Sequence, residues 1–156
     1  QEGTALMDIS VTHEGEQRAF VVVLHPGEEF LEKLSEFTLA HDIEVASFTA
    51  IGGFQAFTLG FFNLKTRGFD EIPFHEDQVE VLSLSGEITR VDGVPNVHGH
   101  TVLGRRDGTT RGGHLLSGVV EPILIVNVEE LAEHHARAHH GHSHHGHRHE
   151  GRIHHR

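Results

Sequence analysis

The sequence predicts an α+β fold, with a mostly antiparallel β-sheet and one central helix. Short apolar runs recur from residue 5 to residue 128, and most of them end at glycine, proline or aspartate. Helical spacing of apolar side chains is clear only over residues 28–41. The 156 residues are enough for about one domain, and no apolar run is long enough to predict a membrane span.

The N-terminal part is predicted to form two strands followed by the helix. Residues 5–12 and 18–24 are rich in apolar and β-branched side chains, and the polar residues 13–16 join them in a turn. Pro26-Gly27 ends the second strand. Residues 28–41 are then predicted to form an amphipathic helix that starts with glutamates, which the helix dipole favours. Its apolar stripe consists of Phe30, Leu31, Leu34 and Phe37, with Leu39 as a candidate fifth member.

The middle of the chain is predicted to be extended. Residues 44–51 are typical of a short buried strand, and Gly52-Gly53 breaks or kinks it. Residues 54–64 continue in extended form. Residues 66–77 contain Gly68 and Pro73 and are predicted to form a loop.

The C-terminal half of the body is predicted to consist of hairpins. Asp92-Gly93 and Asp107-Gly108 are typical hairpin turns. Gly86 lies within an alternating run and is predicted to form a bulge. The strands are predicted over residues 78–91, 96–104, 109–119 and 123–128.

Histidine is unusually frequent in this chain, and its distribution along the sequence defines two parts. The chain has 18 histidines, and most of them lie between His134 and His155. Residues 1–132 form the predicted folded body, with 8 Lys/Arg and 21 Asp/Glu and a formal charge of −13. Residues 133–156 carry 4 Arg and 2 Glu among the histidines and form a low-complexity tail that cannot build its own core.

Composition excludes several kinds of site. The chain has no cysteine, so a disulfide scaffold, a thiolate zinc site and a cysteine nucleophile are excluded. No serine lies in a Gly-x-Ser-x-Gly pattern, so the nucleophile elbow of a hydrolase is absent. The strongly acidic body repels nucleic-acid phosphates, so we expect no nucleic acid partner.

His98 and His100 are spaced i, i+2 within a predicted strand. Since side chains alternate across a sheet, both imidazoles point to one face, about 6–7 Å apart along the strand. Imidazole is the commonest metal ligand at neutral pH, and three imidazoles with an open fourth position are a known zinc arrangement. The pair therefore suggests a metal site that a third ligand would complete.

His114 is the predicted third ligand, and the register of the second hairpin decides whether it is available. With a strict two-residue turn at Asp107-Gly108, His114 faces Thr101 and points to the wrong side of the sheet. A three-residue loop, or a bulge at Gly112-Gly113, brings His114 to the face of the other two histidines. We predict that one of these two devices is present.

The tail is predicted to bind metal independently of the body. Its glycines disfavour a long helix, so we expect a flexible, multidentate binder of Zn²⁺ or Ni²⁺. The alternatives are a purification tag and a tail without a function. The tail ligands would be His135, His139, His140, His142, His144, His145, His147 and His149.

Four stretches resemble the plant and prokaryote conserved (PPC) domain family, also called domain of unknown function 296. The order and spacing of H-x-H and G-G-H in the last stretch are the most specific part of this likeness, which covers roughly residues 18–130. The stretches are HPGEEFLEKLSEF (25–37), ASFTAIGGFQAFTLGFFN (46–63), DQVEVLSLSGEI (77–88) and DGVPNVHGHTVLGRRDGTTRGGHLLSGVVEP (92–122).

The resemblance implies a compact domain with an antiparallel sheet and a helix, assembled as a homotrimer. It also implies a candidate metal site, usually zinc, at the histidines that match His98, His100 and His114. Plant members carry AT-hook motifs that bind DNA, and prokaryotic members share the DNA-binding label. This chain has no Arg-Gly-Arg-Pro or similar motif.

The leading functional hypothesis is a non-enzymatic protein that binds zinc or nickel in its body and buffers or delivers metal with its tail. The alternative is an enzyme that uses the open metal position to activate water or polarise a carbonyl, with Glu80 as its candidate base. A DNA-associated regulator is the third hypothesis. We expect a cytoplasmic protein, with export as the alternative because the chain starts at Gln1.

Overall fold

The fold was analysed in a computed structural model, which describes residues 7–13, 15–73 and 76–131. The helix of 11 residues in this part of the chain is neither long nor apolar enough to cross a membrane. The elements are β1 (Asp8–His13), β2 (Ala19–Leu24), α1 (Phe30–Ala40), β3 (Val45–Asn63), β4 (Gly68–Glu71), β5 (Val79–Val91), β6 (Val94–Gly104) and β7 (Thr110–Glu130).

The strands form one sheet in the order β1-β2-β7-β6-β5-β3-β4. Every pairing between these strands is antiparallel, and β3 also pairs with β7. Strands β3, β5, β6 and β7 therefore close into a ring around the core. The predicted fold, mostly antiparallel with one helix, is confirmed.

Helix α1 covers the core with its apolar stripe. Phe30, Leu34 and Phe37 are fully buried, and the Phe37 ring packs edge-on against Phe20 of β2 with centroids 5.1 Å apart. The Glu29 carboxylate caps the helix by accepting hydrogen bonds from the backbone N–H groups of residues 31 and 32. The predicted stripe and N-terminal glutamates therefore account for where the helix lies.

Two predicted interruptions are not strand ends. The predicted strands 44–51 and 54–64 fall, apart from their outermost residues, in the single strand β3, and the predicted strands 109–119 and 123–128 fall, apart from residue 109, in the single strand β7. Gly52 permits a close approach, because a Cβ added there would lie 2.1 Å from the Ile123 carbonyl oxygen. The strand therefore passes through Gly52 with a shift of register rather than a break.

Gly86 does not form the predicted bulge. It pairs in register with Gly99, and the irregularity of β5 lies between Val81 and Ser83. A Cβ added at Gly86 would lie 1.8 Å from the His98 carbonyl oxygen. Glycine is required here because strands β5 and β6 approach too closely for a side chain.

Both predicted hairpin turns are present. Asp92 and Gly93 have φ values of 53° and 78°, and Val91 pairs with Val94 around them. In the second hairpin, Arg105 N–H donates to the Thr109 carbonyl, so the loop contains the three residues 106–108. This three-residue loop is one of the two predicted devices, and it places His114 directly opposite His100.

Candidate metal centre

Three histidines meet on the outer face of the sheet. Gly99 lies buried against Phe48, so its neighbours His98 and His100 point outward from β6. His114 on β7 lies opposite His100. One candidate ligand nitrogen from each imidazole lies within 4.8 Å of the other two, and the Nε2 atoms of His98 and His100 are 3.3 Å apart.

The three imidazoles fit a tetrahedral metal ion. Zinc–nitrogen bonds of about 2.0–2.1 Å in tetrahedral geometry separate two ligand nitrogens by about 3.4 Å. The His98–His100 separation matches this value, and a small side-chain movement would bring in His114. The Nδ1 atom of His114 is buried and has no hydrogen-bond partner among the described residues. An ion or an ordered water would remove the cost of that unpaired nitrogen.

The site favours the neutral form of two of its imidazoles, His98 and His114. Partial burial, together with the neighbouring His98 and His100, lowers the pKa of His114 to about 4. Burial and the neighbouring His100 also lower the pKa of His98. Because a metal ion binds the neutral imidazole, the lowered pKa values favour metal binding at neutral pH.

In metal-free protein, His114 is expected to titrate at about pH 4 rather than near its ordinary pKa of 6.5. Between these two values the unfolded chain binds more protons than the folded chain, so the free energy of unfolding falls as pH falls through this window. Two-dimensional NMR of the imidazole protons against pH would measure the midpoint. A midpoint near 6.5 for His114 would contradict the burial described here.

Phe69 orients His114. The two rings stack with centroids 4.1 Å apart and planes inclined by 28°, and Phe62 packs edge-on against Phe69 with centroids 5.3 Å apart. Phe69 belongs to the short strand β4, which lies in the predicted loop 66–77 and pairs with the end of β3. Sequence reasoning missed β4 because four residues give too short a pattern to identify.

Glu87 is an acidic neighbour of the site that the sequence analysis did not single out. It pairs with His98 across β5 and β6, so its half-buried side chain lies on the same face. Its negative charge raises the pKa of His98, against the larger effect of burial. The signal was available in the sequence, because a two-residue turn at Asp92-Gly93 places residue 87 opposite residue 98.

Glu80, the candidate base, is not brought to the histidines. It pairs with Gly104 near the other end of β5, seven residues from Glu87, which is on the order of 20 Å along a strand. Its surroundings are a separate polar depression that includes Arg105 and Arg106. The predicted tail ligands, from His135 to His149, lie outside the described residues.

An apolar cavity of about 720 Å³ opens beside the histidines. Aromatic side chains of β3 and β4 form one wall and Val102 of β6 another, while glycines form its floor. The lining residues are Gly60, Phe61, Phe62, Phe69, His98, His100, Thr101, Val102, Gly112, Gly113 and His114. The site thus combines a potential metal position with room for an apolar group.

The chain resembles a known protein family and several solved structures. Residues 11–132 match the Plants and Prokaryotes Conserved (PCC) domain. A plant- and prokaryote-conserved protein of Pyrococcus horikoshii is 28% identical, with a TM-score of 0.70 over 83% of this chain and 85% of that chain. No curated protein matches the chain at a significant level.

Two further solved structures carry functional descriptions. A metal-containing protein of Archaeoglobus fulgidus is 28% identical, with a TM-score of 0.68 over 83% of this chain and 86% of its own. A candidate DNA-binding protein of Bacteroides thetaiotaomicron is 29% identical, with a TM-score of 0.70 over 80% of this chain and 85% of its own. The relatives therefore carry two different descriptions, metal content and DNA binding.

Proposed function

Because this chain belongs to the Plants and Prokaryotes Conserved domain family, we propose that it is a metal-binding protein that holds zinc or nickel at His98, His100 and His114. The convergence of three imidazoles, two of them with Nε2 atoms 3.3 Å apart, carries this proposal. The metal-containing relative from Archaeoglobus fulgidus supports it.

The surrounding residues prepare the three histidines for that role. Phe69 holds the plane of His114, and the strand pairing of β6 with β7 holds His114 opposite His100. Glu87 lies beside His98, where a carboxylate raises the basicity of a ligating imidazole. A zinc ion bound there supplies a Lewis acid with three protein ligands and an open position.

The tail adds capacity for the same metals. Residues 133–156 contain eleven histidines, and imidazole nitrogen is a suitable ligand for both zinc and nickel. We propose that the tail buffers or delivers metal, while the body holds one ion in a defined geometry. Protonation below about pH 6 would release metal from the tail.

The charge of the body argues against extending DNA binding to this chain. Residues 1–132 carry a formal charge of −13, which repels the phosphates that dominate protein–DNA affinity. The metal function therefore accounts better for the residues present than the DNA-binding description of the Bacteroides relative.

We also propose that the body assembles as a homotrimer. Ile51 and Ile125 form an exposed cross-strand pair on the outer face of the sheet, and Ile51 shares a shallow depression with the half-exposed Leu82. Such an exposed apolar patch favours association. Light scattering is expected to give about three times the chain mass of 17.3 kDa, and a monomer mass would contradict the trimer.

Zinc titration of two matched proteins tests the division of roles between body and tail. The first is the unaltered 156-residue chain, and the second is the tail-serine variant, the same chain in which all eleven histidines of residues 133–156 are serine. We expect several zinc ions per unaltered chain and about one per tail-serine chain. A tail-serine variant that folds but retains no zinc would refute the body site and leave the tail as the metal-binding segment.

A further inference from the structure

We propose that the cavity beside the three histidines binds a small apolar monocarboxylate, such as an aryl acid, with its carboxylate toward the imidazoles and its apolar body against the phenylalanines. The inference rests on the proposed metal function and adds the chemical class of the ligand. Three observations support it: the volume of the cavity, the residues that line it and the position of its polar groups.

The size of the cavity suits a small molecule. Its volume of about 720 Å³ lies within the range of about 300–1,000 Å³ that is typical of ligand pockets. Its lining includes the side chains of Phe62, Phe69 and Val102, which are 38%, 45% and 41% exposed. Aromatic side chains this exposed around one concave surface mark a binding site for an apolar group.

The floor of the cavity is bare backbone. A Cβ added at Gly113 would lie 2.9 Å from the Gly60 carbonyl oxygen, and one added at Gly112 would lie 3.1 Å from the Thr101 carbonyl oxygen. A side chain at position 113 would therefore displace the backbone, and one at position 112 would be tightly packed. At both positions the cavity is lined by backbone rather than by a side chain.

The polar groups of the cavity lie at its histidine end. None of the described residues that line it is Lys, Arg, Asp or Glu. The Thr101 hydroxyl already donates to the Ser83 carbonyl at 2.8 Å, so it does not serve a ligand. A sugar or a nucleotide needs several polar partners along its length, and these walls do not supply them.

The histidine end favours an anion. Imidazole binds a metal ion as an uncharged ligand, so a divalent cation held by three histidines keeps its double positive charge. Since the walls beyond them are apolar, the complementary ligand has one negative group and one apolar body. A monocarboxylate with an aromatic or branched aliphatic body meets both conditions.

Isothermal titration of the zinc-loaded tail-serine variant tests the proposal with phenylacetate, acetate and phenylacetamide as probes. Phenylacetate is expected to bind at least about tenfold more tightly than acetate, because its ring buries apolar surface on the cavity wall. It is also expected to bind at least about tenfold more tightly than phenylacetamide, which lacks the negative charge. Zinc content is measured separately in the same samples.

Two matched variants locate the binding. Val102→Ser removes an exposed apolar side chain of the cavity lining and is expected to weaken phenylacetate binding about fivefold or more, with zinc content unchanged. Leu64→Ser removes an apolar side chain of 75% exposure that does not line the cavity, and it is expected to change neither quantity.

The outcomes separate this proposal from the metal function. Equal affinities for phenylacetate and acetate on protein that holds one zinc ion would overturn the cavity proposal and leave the metal function standing. Equal affinities for phenylacetate and phenylacetamide would overturn the requirement for a carboxylate. Loss of zinc from the tail-serine variant itself would refute the metal function, and the ligand proposal with it.

Discussion

His114→Ala is expected to abolish tight zinc binding by the tail-serine variant, with the affinity falling by more than about 100-fold. Removing even a partner of a metal ligand costs about 10–100-fold, and here a ligand itself is lost. The two remaining imidazoles lie two residues apart on one strand. Among the described residues, no carboxylate lies close enough to form a new group of three possible ligands with them. Zinc content after dialysis, with competition against a chromophoric chelator, measures the loss.

His25→Ala is the matched control for this substitution. His25 is also a partly exposed histidine, but its Nε2 lies 3.0 Å from the Asp8 carboxylate, away from the three-histidine group. We expect the tail-serine variant that also carries His25→Ala to hold as much zinc as the tail-serine variant itself. Equal zinc content in the His114→Ala and His25→Ala proteins would show that the body ligands lie elsewhere.

Gly86→Ala is expected to lower the free energy of unfolding by about 3–5 kcal/mol, the range of severe core defects. The added Cβ would lie 1.8 Å from the His98 carbonyl oxygen and 2.8 Å from the Gly99 Cα, and both are backbone atoms of a paired strand. Strands β5 and β6 would therefore have to separate at His98, one of the three proposed metal ligands. Chemical denaturation monitored by circular dichroism measures the change.

Gly68→Ala is the control for the glycine effect. Gly68 also lies in a strand, but its added Cβ would have only the Thr66 hydroxyl nearby, at 3.9 Å. We expect a change of less than about 0.5 kcal/mol for this substitution. Similar stabilities for Gly86→Ala and Gly68→Ala would contradict the close approach of β5 and β6.

Local patterns predicted the parts of the fold that depend on local chemistry. The helix follows from the spacing of Phe30, Leu34 and Phe37, and the hairpins follow from Asp92-Gly93 and Asp107-Gly108. Strand continuity was not predictable in this way. Gly52 resembles a chain break in sequence, yet the opposing backbone at Ile123 makes it a point of close approach within β3.

The residues of the candidate site that follow from strand register could be predicted from the sequence. The spacing of His98 and His100 placed these two histidines on one face. His114 joins that face only if the second hairpin has a three-residue loop or a bulge, and the three-residue loop is present. Phe69 and the aromatic wall were not predictable, because β4 pairs through only four residues. Their contacts with His114 arise from tertiary packing, which no local pattern encodes.

The most direct test of the metal centre is an anomalous difference map at the zinc absorption edge, from crystals of the tail-serine variant grown with zinc. We predict one peak per chain, about 2.0–2.1 Å from one nitrogen each of His98, His100 and His114. A zinc-saturated crystal with no peak between these three imidazoles, or with its zinc held only by other residues, would contradict the proposed function.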